Sequence, residues 1–339
     1  MSSNTGRSTV DERPEPGGRP ALTGDRTRTG RLGDRLFGGA ATASGVVVIA
    51  IVTLVGVFLL AQAVPSLLAN EANFLTSREW QVTGAELRFG ILDLLWATVV
   101  TSVIAMAVAV PLGVAVALFI TQYAPKWLSK PAAATIDLLA AVPSIVYGFW
   151  GLNVAGQYFD PISQWLQDYL GWIPFFAQVG ESGISGRSTL LFAGLILAVM
   201  VLPIVTAISR EVFAQVPTTH KEGALALGAT QWEMIRTAVL PFGRPGVISA
   251  AMLGLGRALG ETLAVVILLS GLNAASGWSW SFFNGGATFA SKIALNAAEF
   301  DSPAKTGAYI AAGLVLFLLT FVVNAIARVV INRRKAFTE

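Results

Sequence analysis

Cysteine is absent from the 339-residue chain, which excludes disulfides, thiolate catalysis and cysteine-held zinc. Histidine occurs once, at His220, so no histidine-rich metal site can be built. Charge is scarce as well. Asp, Glu, Lys and Arg make up 13% of the residues, about half of the roughly 25% usual in a soluble domain. The formal net charge of +3 is too small for bulk attraction to nucleic acid. Gly186-Arg187-Ser188 lacks the lysine and the first glycine of a phosphate-binding loop, and no strand precedes it. No ATP site of that kind is legible, and any energy must come from a partner.

Apolar residues are abundant instead: 54% of the chain, with a mean hydropathy of +0.65. A soluble core of this size could not hide so much apolar side chain, so the surplus must face lipid. A span needs roughly 20 apolar residues, and six stretches qualify: 39–64, 90–122, 131–157, 187–213, 243–272 and 304–331. The expected fold class is an all-α membrane protein with six transmembrane helices. Pro111, Pro143 and Pro203 fall inside spans two, three and four, which suits a packed bundle or a pathway lining.

The chain divides into four expected regions. Residues 1–38, rich in Gly, Pro, Ser, Thr and Arg, bury too little apolar area to order themselves and form a disordered, basic, cytosolic tail. Residues 39–88 are the first span and an outside linker. Residues 89–331 are the main core, with a cytosolic loop at 209–246. Residues 332–339 are a second short cytosolic tail.

Lys and Arg set the orientation. With the amino terminus inside, the tail, 122–130, 209–246 and 328–339 carry 17 of the 23 basic residues, against five outside and Arg257 within the membrane. Both termini are expected in the cytosol. Outside, 158–170 is expected to form a short amphipathic helix. The stretch 273–303 holds Trp278, Trp280, Phe282 and Phe283, either as an interfacial belt or as a docking surface.

The loop 209–246 contains Glu222-Gly223-Ala224-Leu225-Ala226-Leu227-Gly228 and ends in Leu240-Pro241. The pattern predicts a short helix, a turn at Gly228, a second short helix and a proline break before span five. Such a helix-turn-helix offers a handle to a cytosolic partner; otherwise it is an ordinary amphipathic interfacial loop. Within span five lies Gly254-Leu255-Gly256-Arg257-Ala258-Leu259-Gly260-Glu261-Thr262. A mid-membrane arginine costs several kcal/mol by insertion scales and needs a partner or water. Glu261 is its i,i+4 neighbour if the helix is continuous. The pair either ties helices together or offers a cation to a passing oxyanion, tempered by Glu261. Arg210 and Glu211, at the end of span four, are expected as a second pair at the cytosolic mouth or as interfacial anchors. Asp137, in span three, reads either as a partner for a basic residue or as an interfacial carboxylate, the second being favoured.

The spacing Glu222-x-Ala224-x3-Gly228-x11-Leu240-Pro241 resembles the "EAA" loop of ABC-importer permease subunits. Together with Leu139–Gly148, Ile208–Phe213 and the run around Arg257 and Glu261, it makes 89–330 similar to the PstC family, one of two permeases of phosphate importers. That resemblance implies a MetI-like bundle in a bacterial plasma membrane. It implies a PstA-like second permease, a PstB-like ATPase dimer that binds the ATP, and a PstS-like phosphate-binding protein outside. It implies no cofactor, no metal and no catalytic residue in this chain. The ATPase would couple through Glu222, Ala224, Gly228, Leu240 and Pro241, and the substrate would pass Arg257, Glu261, Arg210 and Glu211. Rival readings are a permease for sulfate or molybdate, a channel, and an embedded hydrolase.

Overall fold

The computed structural model describes residues 29–84, 86–177, 186–269 and 279–335. The expected features at 1–28, Trp278 and 336–339 lie outside them. Two compact units divide the chain, Met1–Leu54 and Val55–Glu339. Helix α1, Thr29–Leu68, carries residues of both and begins ten positions before the expected first span. A hairpin of β1 (Trp80–Gln81) and β2 (Arg88–Phe89) follows, antiparallel, with Trp80 opposite Phe89. Next come α2 (Leu92–Leu118), α3 (Lys126–Ala140), α4 (Ser144–Trp150), α5 (Gly156–Leu170) and α6 (Leu190–Ala214). The loop holds α7 (Thr218–Ala226) and α8 (Gln231–Met234), and the chain closes with α9 (Leu240–Gly260), α10 (Leu263–Leu268), α11 (Phe289–Leu295) and α12 (Pro303–Lys335).

Among the described residues five helices are long and apolar enough to cross a membrane, and a bent pair makes a sixth. Apart from that short hairpin the architecture is therefore the helical, six-span kind. Span three departs from a simple rod: Lys126–Ala140 and Ser144–Leu170 meet at 91°. The break is Ala141–Pro143. Pro143 disfavours helix in the residue before it and offers no N–H, and it sits in extended conformation as the N-cap of α4. Beyond the break the chain is helical through a π turn at Gly151–Ala155 into α5. The outside helix expected at 158–170 is thus the continuation of span three, not a separate element.

Helices α2 and α6 form the centre. Ala97, Thr101, Ala105, Ala109, Gly113 and Ala117 recur every fourth residue on α2 and are all buried. That stripe of small residues lets α6 approach closely. A Cβ on Gly194 of α6 would stand only 2.8 Å from the Ile104 side chain. Three threonine hydroxyls on these helices are satisfied by their own helix, whereas the Ser102 and Ser209 hydroxyls are buried without a partner among the described residues. Thr98 donates to the Leu94 carbonyl at 2.7 Å, Thr101 to that of Ala97 at 2.7 Å, and Thr206 to that of Leu202 at 2.8 Å. Such back-bonding lets a polar side chain sit in an apolar helix.

The bundle has two distinct ends. At the hairpin end, Leu190 and Leu191 N–H donate to the Asn284 and Phe282 carbonyls, each at 2.9 Å. There Phe89, Ala308 and Tyr309 are buried against Ala63. At the loop end, Ala117, Phe213, Met234, Ile235 and Val239 make a second buried cluster. The Gln231 amide donates across to the Gln122 carbonyl at 2.7 Å.

Candidate functional site

The loop end is built around one backbone constraint. Helix α7 closes with Gly228 N–H on the Leu225 carbonyl at 2.9 Å and Ala229 N–H on the Ala224 carbonyl at 3.2 Å. This closure needs a left-handed residue, and Gly228 has φ +86°. Nothing lies within 4 Å of where its Cβ would be, so conformation, not crowding, requires glycine. Two residues later Thr230 starts α8 with a reciprocal cap. Its hydroxyl accepts from Glu233 N–H, and the Glu233 carboxylate accepts from Thr230 N–H. This local chemistry sets the angle between the two short helices.

The predicted coupling residues separate by face. Ala224 packs against the Phe213–Ile235–Val239 cluster, while Glu222 is exposed. Leu225, Leu227 and Trp232 are also exposed, Leu227 at 90%. Leu240 and Pro241 line a recess of about 430 Å³ together with Arg236 and Arg244. The expected proline break is not there. The chain stays helical from Gln231 to Gly260, through a π turn at Ile235–Val239 closed by Leu240 N–H on the Ile235 carbonyl. Pro241 has no N–H for the carbonyl four residues back, and a wide turn just ahead of it is where a helix absorbs that mismatch.

The break that does occur in span five lies at its charged run. Helix α9 ends at Gly260, Glu261 is extended (φ −67°, ψ 128°), and α10 starts at Leu263. Arg257 and Glu261 are therefore not i,i+4 neighbours on one helix, and among the described residues no ion pair joins them. Glu261 is buried, and its Oε1 accepts the Ala264 N–H at 3.2 Å. It caps the start of α10 rather than neutralising Arg257. Arg257 is partly buried on the wall of a cavity of about 690 Å³, which Ser249, Met252, Gly256 and Asn324 also line. Of the three glycines in this run, Gly254, Gly256 and Gly260, only Gly254 is crowded within this chain. A Cβ there would stand 2.7 Å from Val201, whereas nothing lies within 4 Å of the Cβ positions of Gly256 and Gly260.

Arg210 and Glu211 also separate. Glu211 accepts from the Gln215 amide at 3.3 Å on its own helix. Arg210 reaches across to Asp137 on α3, Nη2 to Oδ2 at 3.2 Å. Asp137 is thus a partner for a basic residue, the less favoured of its two expected readings. Sequence reasoning also passed over Asn324 and Ser249. The signal for Asn324 was available: a lone amide within the apolar run of span six is costly in lipid unless it has a use.

Chemically, the arrangement holds, in an apolar surround, a guanidinium with an amide and a hydroxyl beside it. An arginine fork presents paired N–H donors that match the oxygens of a tetrahedral oxyanion. Neither the cavity nor the loop end brings together a nucleophile, base and orienting group of the kind that hydrolysis requires.

Residues 109–336 match the family described as binding-protein-dependent transport system inner membrane component. Curated relatives extend the likeness over nearly the whole chain. The phosphate transport system permease protein PstC 2 of Mycobacterium tuberculosis is 52% identical over 317 residues, covering 93% of this chain and 97% of the relative. The phosphate transport system permease protein PstC of Mycobacterium leprae is 54% identical over 302 residues, covering 89% and 94%. A solved bacterial ABC transporter involved in import of the acidic polysaccharide alginate shares the fold. Its TM-score is 0.51 at 15% identity, covering 71% of this chain and 79% of that one. The chain belongs to the family of binding-protein-dependent transport system inner membrane components, and within it is a non-enzymatic permease subunit of an ABC importer.

Proposed function

We propose that this chain carries inorganic phosphate across a bacterial plasma membrane as one of two permease subunits. The observation that carries the reading is the similarity, at 52–54% identity over most of the chain, to permeases of phosphate transport systems. The substrate passes Arg257, whose cation lines the cavity with Asn324 and Ser249. Glu261 holds the helix break beside it. The partners are a second permease, a dimeric ATPase that binds ATP, and an extracytoplasmic phosphate-binding protein. The ATPase docks at α7 and α8 against Glu222, Leu225, Leu227 and Trp232. Closure of the ATPase dimer on ATP moves the loop as a unit, because the thirty-residue helix from Gln231 runs unbroken to Gly260 beside the cavity. The bundle opens outward, accepts phosphate, and returns when ATP is hydrolysed.

Competition tests the substrate. ATP-driven uptake of labelled phosphate into proteoliposomes holding the complete complex should resist excess sulfate and molybdate. Equal inhibition by sulfate would reassign the chain to another oxyanion, and transport without an ATP-hydrolysing subunit would make it a channel.

Orientation follows from the sorting of charge. The loop end carries Lys126, Lys130, Arg210, Lys221, Arg236 and Arg244, and the hairpin end carries Arg78, Arg88, Arg187, Lys292 and Lys305. The loop end faces the cytosol. In this cysteine-free chain, single cysteines at the exposed positions Gln164 and Ala298 should react with an impermeant maleimide added to intact cells. A cysteine at exposed Thr219 should react only after lysis. Labelling of position 219 in intact cells would reverse the assignment.

A further inference from the structure

Helix α3 is held loosely. Ile136 is its one buried residue, and the break at Ala141–Pro143 leaves it at 91° to the rest of its span. An element with so few buried contacts is the kind that moves at low cost. Two polar links tie it down. The Tyr147 hydroxyl on α4 donates back across the break to the Leu139 carbonyl at 2.9 Å. Two residues earlier, Asp137 meets Arg210 of α6. These two links lie within one turn of α3, between the break at Ala141–Pro143 and Arg210 at the loop end.

The last link is only half made. Arg210 Nη2 contacts both Asp137 oxygens at 3.2–3.3 Å, which is a single-nitrogen contact rather than the parallel fork that a carboxylate can take. Nη1 of Arg210 is buried and without a partner among the described residues. An arginine carries five donors and satisfies a tetrahedral oxyanion more fully than this carboxylate does. The Asp137 side chain is 54% exposed, so water and solutes reach the pair from the loop end.

We propose that Arg210 is a second anion station at this mouth, and that Asp137 is the counter-ion which phosphate displaces there. The inference rests on the phosphate-permease reading. With the station empty, Asp137 latches α3 against α6. An arriving phosphate takes the guanidinium, freeing Asp137 and with it the hinged arm. Return of the carboxylate then expels the anion, so the same residue closes the mouth and limits how long substrate stays.

The test follows the arm directly in the assembled complex, in nanodiscs of zwitterionic lipid. Spin labels on cysteines at the exposed positions Ala134 and Ala214 report the α3–α6 separation. Millimolar inorganic phosphate should lengthen and broaden that distance in the parent chain. Asp137→Asn should show the longer distance without phosphate, with a lowered uptake rate because the anion is no longer expelled. Arg210→Gln should show the longer distance with no further response to phosphate. Its loss of at least one charge-assisted hydrogen bond weakens the station by roughly tenfold or more. A parent distance indifferent to phosphate, with Asp137→Asn transporting normally, would overturn the station. So would a shift produced by anionic lipid alone, which would make a lipid headgroup the occupant. Either failure leaves the Arg257 cavity standing, because uptake by Arg257 variants reports on that site separately.

Discussion

Arg257→Ala should abolish phosphate uptake while the complex still assembles. The variant removes a guanidinium from the wall of the cavity that Ser249 and Asn324 also line. Hydrogen bonds to a charged group contribute about 1.5–3 kcal/mol each, so the loss of a bidentate contact lowers the transport rate roughly hundredfold or more. Arg257→Lys keeps the charge but loses the planar fork, and should retain roughly a tenth of parent uptake, the loss of about one such bond. Stability should change little in either variant. Arg257 has no carboxylate within ion-pair distance among the described residues, so no buried counter-charge is orphaned by its removal. Glu261→Gln should behave differently. Its amide oxygen can still accept the Ala264 N–H, so the helix break survives and uptake falls less than in Arg257→Ala. Uptake of labelled phosphate, normalised to complex abundance, separates these cases. Equal and severe loss in Arg257→Ala and Glu261→Gln would instead mark the two residues as one functional pair.

Gly228→Val should uncouple the chain from its ATPase. At φ +86° a β-branched residue is strained by more than the roughly 1–2 kcal/mol that an ordinary L-residue pays there. The strain reopens the end of α7, where Gly228 and Ala229 donate to the Leu225 and Ala224 carbonyls. The angle between α7 and α8 is then lost, and Leu227 and Trp232 no longer present one surface. The bundle itself should remain intact, because open space surrounds the substituted position. The expected result is a folded, inserted chain that recovers little ATPase on purification and shows no transport-linked hydrolysis. Gly228→Asn is the control. Asparagine tolerates the left-handed region and should restore most of the coupling. If valine and asparagine impair coupling equally, the backbone conformation of Gly228 is not what the ATPase depends on.

Much of this architecture was legible from residue patterns, and the failures share a cause. Spans one, two, four and six are long apolar runs, and each appears as one helix. Apolar content measures how much chain lies in lipid but not whether it runs straight. Pro143 broke its span, whereas Pro111 and Pro203 sit within continuous helices. What distinguishes them is tertiary: α2 and α6 are clamped together by the small-residue stripe, and α3 has a single buried residue. Pro241, expected to break the chain, was absorbed by a π turn. The interruption came instead at Gly260–Thr262, where a buried carboxylate can satisfy the freed N–H.

Site residues were easier to find than to pair. Arg257, Glu261 and Arg210 stood out because charge is rare in apolar runs. Their partners were then sought nearby in sequence, because only neighbours in sequence can be paired without a fold. Arg257 has no ion-pair partner among the described residues, and Arg210 turned to Asp137, 73 positions away. Gly228 was read correctly as the turn, because a left-handed residue after a helix is a local requirement that needs no tertiary knowledge.

On the proposed reading, the Arg257 cation in the broken span handles phosphate directly. The double variant Arg257→Leu/Glu261→Leu tests it most sharply, since it leaves neither charge in the broken span. Uptake of labelled phosphate should be measured in proteoliposomes that hold the complete complex at parent abundance, with ATP inside. The account predicts an assembled complex that hydrolyses ATP but accumulates no phosphate. Near-parent accumulation by the double variant would contradict it and reduce Arg257 to a structural charge.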